Sequence, residues 1–120
     1  MARLLGRMAD APSRPEDFLL VVSTFPDAGQ AREIARVLVS ERLAACGNVL
    51  PGVTSVYVWQ GEQTESEEAL VLFKTRRESY PALEARLKSL HPYEVPEIVA
   101  LELAAGLPAY LRWVADGTRP

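Results

Sequence analysis

The chain has 120 residues, 48% of them hydrophobic and 24% charged, and carries a net charge of −3 at pH 7. That size fits one domain with its own core, and the mild acidity argues against a general binder of phosphate backbones, which needs clustered Lys and Arg. The single cysteine, Cys46, excludes an intramolecular disulfide and leans towards a reducing, cytoplasmic setting, while no apolar run reaches the roughly 20 residues that span a bilayer.

Residues 1–17 read as a flexible leader. Arg3 and Arg7 are present without a continuous apolar stretch, so a signal peptide is not expected. Pro12, Ser13, Arg14 and Pro15 loosen the segment, and Met8 is an alternative start to Met1. A single domain is expected over 18–117, followed by a short tail at 118–120.

Phe18 to Phe25 (FLLVVSTF) is a short apolar run. Its length and the following Pro26 favour a strand over a buried helix. A helix follows, capped by Asp27 with Gln30 three residues on. Ala31, Ile34, Ala35 and Leu38 form its buried stripe, and it should end near Arg42. Ala44 to Trp59 is a second extended segment, bent at Gly47 and at Pro51-Gly52. Gln60 to Glu68 is polar and contains Gly61, which predicts a turn, with Glu62, Glu65, Glu67 and Glu68 as a solvated acidic loop. Ala69 to Thr75 is a third strand, pairing with the second in a hairpin longer than usual.

Ser79 and Pro81 open a second helix whose Tyr80, Leu83, Leu87 and Leu90 face one side. The segment from His91 to Pro96 holds two prolines and fits neither helix nor regular strand. Glu97 to Leu103 is a fourth strand. Gly106 and Pro108 introduce a closing helix with Tyr110, Leu111, Trp113 and Val114, and Gly117 suits its C-terminal cap. The order predicts an α/β (α+β) fold: a ferredoxin-like βαββαβ sandwich with an extra C-terminal helix and a long hairpin between strands two and three.

Several segments resemble the CutA (divalent-cation tolerance) family in order and spacing. They are Glu41 to Cys46, Asn48 to Ser55, Trp59 with Gly61, Phe73 to Arg76, His91 to Glu97, and Tyr110 to Trp113. The likeness runs from about Phe18 to Val114. One departure is Gly47, where the family carries a bulky aliphatic residue; it is expected to loosen the strand start and shift the cysteine. The resemblance implies a ferredoxin-like subunit, a tight homotrimer joined through the long hairpins, and a role in tolerance of divalent metals with copper binding. It also implies a trimer similar to that of PII signalling proteins.

Cys46 and His91 are the sole cysteine and sole histidine. Thiolate and imidazole are the donors copper prefers, so the pair are the candidate ligands for copper or another divalent cation. The plainer reading makes Cys46 a small apolar filler and His91 a helix-ending residue bonded in the next turn. If the hairpin folds about Gly61 to Gln63, Cys46 and Asn48 lie near Lys74, Thr75 and Arg76. His91 then lies far away at the opposite end of the sheet, and a site using both needs another subunit. Lys74, Thr75, Tyr93 and Glu97, with Trp59, are candidates to line a pocket for a small anion or metabolite. For Trp59 and Tyr57, packing in a subunit interface is the alternative.

The trimer also has a physical argument. A hairpin carrying Val53, Val56, Tyr57, Val58 and Trp59 exceeds what one small sheet can shield, and three copies around an axis close the open edges. No Gly-rich phosphate cradle or nucleophile–base pair stands out, so no enzyme and no organic cofactor are expected. An RNA-binding sheet needs aromatics on its middle strands and a basic face, which this chain lacks. The expected partners are other copies of the chain and a metal ion, with no nucleic acid and no membrane. A PII-like sensor of a small molecule is the alternative function.

Overall fold

Why the chain folds as it does is visible in a computed structural model that describes residues 14–120. Strand β1 spans Phe18–Phe25, helix α1 Ala28–Ser40, β2 Cys46–Trp59, β3 Glu62–Arg76, α2 Tyr80–Leu90, β4 Val99–Glu102 and α3 Pro108–Gly117. The four strands form one antiparallel sheet in the order β2-β3-β1-β4. This is the ferredoxin-like arrangement that the alternation of elements predicted.

Alternation along β1 decides the layers. Leu19, Val21 and Phe25 are buried and point into a core with Ala69, Val71 and Phe73 of β3. Ala31, Ile34, Ala35 and Leu38 of α1 and Leu83 and Leu87 of α2 cover that face. Asp27 starts α1 by accepting the Gln30 N–H at 2.8 Å, while Gln30 Nε2 returns to the Asp27 carboxylate at 2.7 Å. The helix stops at Ser40 in a Schellman turn. Arg42 takes a φ of 60°, its N–H donates to Val39 O, and the Leu43 N–H donates to Leu38 O.

The other face of the sheet is largely unshielded. Register puts Leu20, Val22, Leu50, Leu70, Leu72, Val99 and Leu101 on it together. Leu50, Val99 and Leu101 are 40%, 48% and 51% exposed. Among the described residues, Leu111 and Val114 of α3 cover its Phe18 end.

The hairpin corrects the expected turn. Gln60 to Glu68 is not a loop: β3 begins at Glu62, and only Gln60 and Gly61 turn the chain, at φ 51° and 82°. Two left-handed residues match the twist of a two-residue hairpin. The polar stretch is a strand because the backbone groups of Val53–Trp59 that face it need partners, and Glu62 to Glu68 pair with them residue for residue. Glu62, Glu65, Glu67 and Glu68 are therefore strand residues and not an acidic loop. A bulge between Leu50 and Val53 bends the arm, with Gly52 at φ 71°. The outer arm adds roughly 23 Å of strand. The described chain measures 57 × 26 × 22 Å with a radius of gyration of 16.1 Å, against about 13 Å for a compact chain of this length.

Smaller corrections have local causes. Gly47 does not loosen β2, which pairs Cys46 with Lys74 and Gly47 with Phe73 in continuous register. The fourth strand is shorter than Glu97 to Leu103, with ladder pairs to β1 only from Val99 to Glu102. Gly117 closes α3 but the cap is Thr118; a side chain at 117 would meet Ala45 Cβ at 3.1 Å, so the glycine serves close packing. At the expected tail, Arg76 donates to Thr118 Oγ1 and O, both at 2.8 Å, and Ser79 donates to Arg119 O. Residues 15–17 of the expected leader form a 3-10 turn whose Glu16 carbonyl accepts from Arg77. The leader before Arg14, with Met8, lies outside the described residues.

Candidate functional site

The β2–β3 register collects one group of polar side chains on the unshielded face. Cys46 lies opposite Lys74, and Lys74 Nζ donates to Asn48 Oδ1. Helix α3 crosses the same end and brings the Tyr110 hydroxyl to 3.8 Å from the half-buried Cys46 thiol. Tyr110 stacks on Trp113 at 5.6 Å. Burial, then the hydrogen bond with Cys46, pushes the Tyr110 phenol upward, so it stays protonated at neutral pH. Beside this cluster runs an open cleft of about 480 Å³ between α1 and the edge of β2. Arg32 and Arg36 stand on one wall, and Cys46, Gly47 and Val49 on the other.

His91 lies elsewhere. Its Nε2 donates to Thr24 O at 2.8 Å and its Nδ1 accepts the Tyr93 N–H at 3.1 Å. Nε2 is thus protonated and the Nδ1 lone pair is taken, so His91 has no lone pair left for a metal while this turn holds. Thr24 is four positions along β1 from Leu20, which pairs with Lys74 and so aligns with Cys46. That is about 13 Å along the strand, plus two strand spacings across. Within one chain the thiol and the imidazole do not meet. Among the described residues, no group of three or more His, Cys, Asp or Glu side chains gathers to hold a metal.

The expected pocket residues are also dispersed. Thr75 is fully buried on the helix side and donates its hydroxyl to Leu43 O at 2.7 Å, so it lines no surface. Lys74 points to the opposite face. Tyr93 sits with His91 and gives its hydroxyl to Glu68 at 2.6 Å; burial and that carboxylate push its phenol upward. Glu97 is exposed near the start of β4. Trp59, 63% exposed, ends the arm opposite Glu62. Sequence reasoning missed Tyr110 as a partner of Cys46. A tyrosine with a polar tip on an amphipathic helix was the available signal, but the helix's path over the sheet end was not encoded in any periodicity.

Together these features define a small α/β sandwich protein with one cysteine thiol per chain and a long unshielded sheet surface. Comparison with known proteins gives the family. Residues 19–117 match the model of the CutA1 divalent ion tolerance protein family. The Thermus thermophilus divalent-cation tolerance protein CutA is 52% identical over 99 residues, covering 82% of this chain and 96% of its own length. A chloroplastic CutA 1 protein of Oryza sativa is 41% identical, over 98% of this chain but 64% of its own length. The crystal structure of CutA from Xylella fastidiosa superimposes with a TM-score of 0.83 at 45% identity, covering 86% of this chain and 99% of its own. The chain belongs to the CutA1 divalent ion tolerance family. The rice relative's compartment means that membership does not fix a cytoplasmic location. Among the described residues, no helix is long and apolar enough to cross a membrane.

Proposed function

We propose that the chain acts as a non-enzymatic homotrimer in tolerance of divalent metal ions, copper foremost, with metal held where copies meet. The observation that carries this is the apolar sheet face with its protruding arm, which one chain leaves in water. Val56, Val58 and Trp59 on the arm are 56%, 70% and 63% exposed. The two outer strands, β2 and β4, each offer an unpaired edge, and joining β2 of one copy to β4 of the next closes a ring that pairs part of each open edge.

For metal, no donor set among the described residues of one chain closes a coordination sphere. Cys46 is the soft donor they offer, and a copper site would draw thiolates or other groups from more than one copy. The names of the relatives, which speak of divalent-cation tolerance, support this reading. The non-enzymatic character rests on His91, whose two nitrogens are committed to structure. A PII-like sensor remains the second reading, and the cleft beside Cys46 with Arg32 and Arg36 favours it. Titrating the reduced protein with Cu(I), beside a Cys46→Ser variant, separates the two. A weakened variant supports metal handling, and equal affinity moves the assignment to the sensor.

A further inference from the structure

His91 closes α2, and Pro92 follows it. The residue is 8% exposed, and its ring stacks on Phe25 at 4.6 Å and lies tilted against Tyr93 at 4.9 Å. The two hydrogen bonds settle its tautomer. A carbonyl only accepts, so Nε2 carries the proton towards Thr24; an amide N–H only donates, so Nδ1 is bare towards Tyr93. Tyr93 continues the chain by donating its hydroxyl to Glu68 at 2.6 Å. Glu68 pairs with Val53, the first pair beyond the bulge, at the root of the arm. One connected path thus runs from the end of β1 through the Pro-rich turn to the arm.

Protonating His91 places an N–H at Nδ1 directly against the Tyr93 N–H. Two donors then face each other, and the second bond is lost. We propose that His91 is an acid-sensitive latch: when neutral it fastens the Pro92–Pro96 turn and, through Tyr93, holds Glu68 at the arm's root, and when protonated it releases both.

The surroundings set its bias. From β1, the hydrogen bond to Thr24 O favours the imidazolium, and so, to a lesser degree, does Glu68 from β3; the carbonyl end of α2 acts in the same sense. The Phe25 ring of β1 carries no charge. Lys88, one turn back on α2, and Glu94 in the turn are exposed. Asp27 and Tyr57 act on the Tyr93 hydroxyl. Burial outweighs the favourable groups and keeps His91 below its ordinary 6.5, so the latch is closed at neutral pH.

The test is an NMR titration of the full chain from pH 8 to pH 5, following the His91 ring, the Tyr93 amide and the amides of Val53 and Glu68. The expected result is a His91 midpoint below 6.5. At that same midpoint the Tyr93 amide should shift and, corrected for intrinsic exchange, lose roughly tenfold or more of its protection. His91→Gln supplies one N–H and one oxygen and should keep the Tyr93 amide protected throughout. Should that variant fail to fold, Tyr93→Phe serves: it keeps the amide bond and its pH response but removes the response at Val53 and Glu68. A Tyr93 amide that stays protected through the His91 midpoint, or that loosens at a different pH, overturns the proposal.

Discussion

Phe73 lies directly across the β2–β3 ladder from Gly47, and its ring edge comes within 3.1 Å of where a side chain at position 47 would begin. The ring is fully buried and fills the space that a side chain on β2 would need. This pairing keeps the strand start regular and Cys46 in register, although the neighbouring residue has no side chain.

Gly47→Val should therefore destabilise the fold, by about 1–3 kcal/mol, because Phe73 must be displaced within a filled core. Combining it with Phe73→Leu should recover much of that loss. Urea denaturation of the four proteins in a double-mutant cycle measures the coupling; additive effects would contradict the proposed fit.

Two buried hydroxyls on the same sheet face should respond with opposite signs. Thr75 donates to Leu43 O at 2.7 Å, so Thr75→Val leaves a buried carbonyl unpaired and should cost about 1–3 kcal/mol. The Ser23 hydroxyl is buried without a hydrogen-bond partner among the described residues, so Ser23→Ala should be neutral or gain about 1 kcal/mol. Midpoints of chemical denaturation distinguish the two.

The C-terminal residues are clasped to the body. Arg76 binds Thr118 through its side-chain and main-chain oxygens, and Arg42 Nη2 donates to Asp116 O at 2.7 Å. Arg76→Ala should lower stability by about 2 kcal/mol, as expected for charge-assisted bonds that are largely shielded from water. Limited proteolysis should then cut the tail first; an unchanged cleavage pattern would count against the clasp.

Stability should also fall with acid through His91. Its folded value lies below 6.5, so the native state prefers the neutral ring while the unfolded chain protonates near 6.5. The contribution is whole above pH 6.5 and is lost as pH falls through the folded value. Denaturation of His91→Gln beside the native sequence should show a shallower loss between pH 7 and pH 5.

Much of the fold was legible because apolar periodicity dominates it. Phe18 to Phe25 alternates over a buried face, and Ala31, Ile34, Ala35 and Leu38 mark one side of a helix. The hairpin's outer half was misread because Glu62 to Glu68 lacks apolar residues. Its strand character comes from pairing with Val53 to Trp59, a constraint that composition does not carry. The candidate site was legible only where strand register decides it, as with Cys46, Asn48 and Lys74. Tyr110 joins them through the path of α3 across the Phe18 end, which depends on tertiary packing and left no local pattern.

Association of the unshielded sheet face is tested directly by light scattering of the purified chain at low micromolar concentration. The expected result is a mass about three times the 13.2 kDa of one chain, with a thermal midpoint that rises with protein concentration. A mass near 13.2 kDa, with the arm ordered in the same sample, would contradict it.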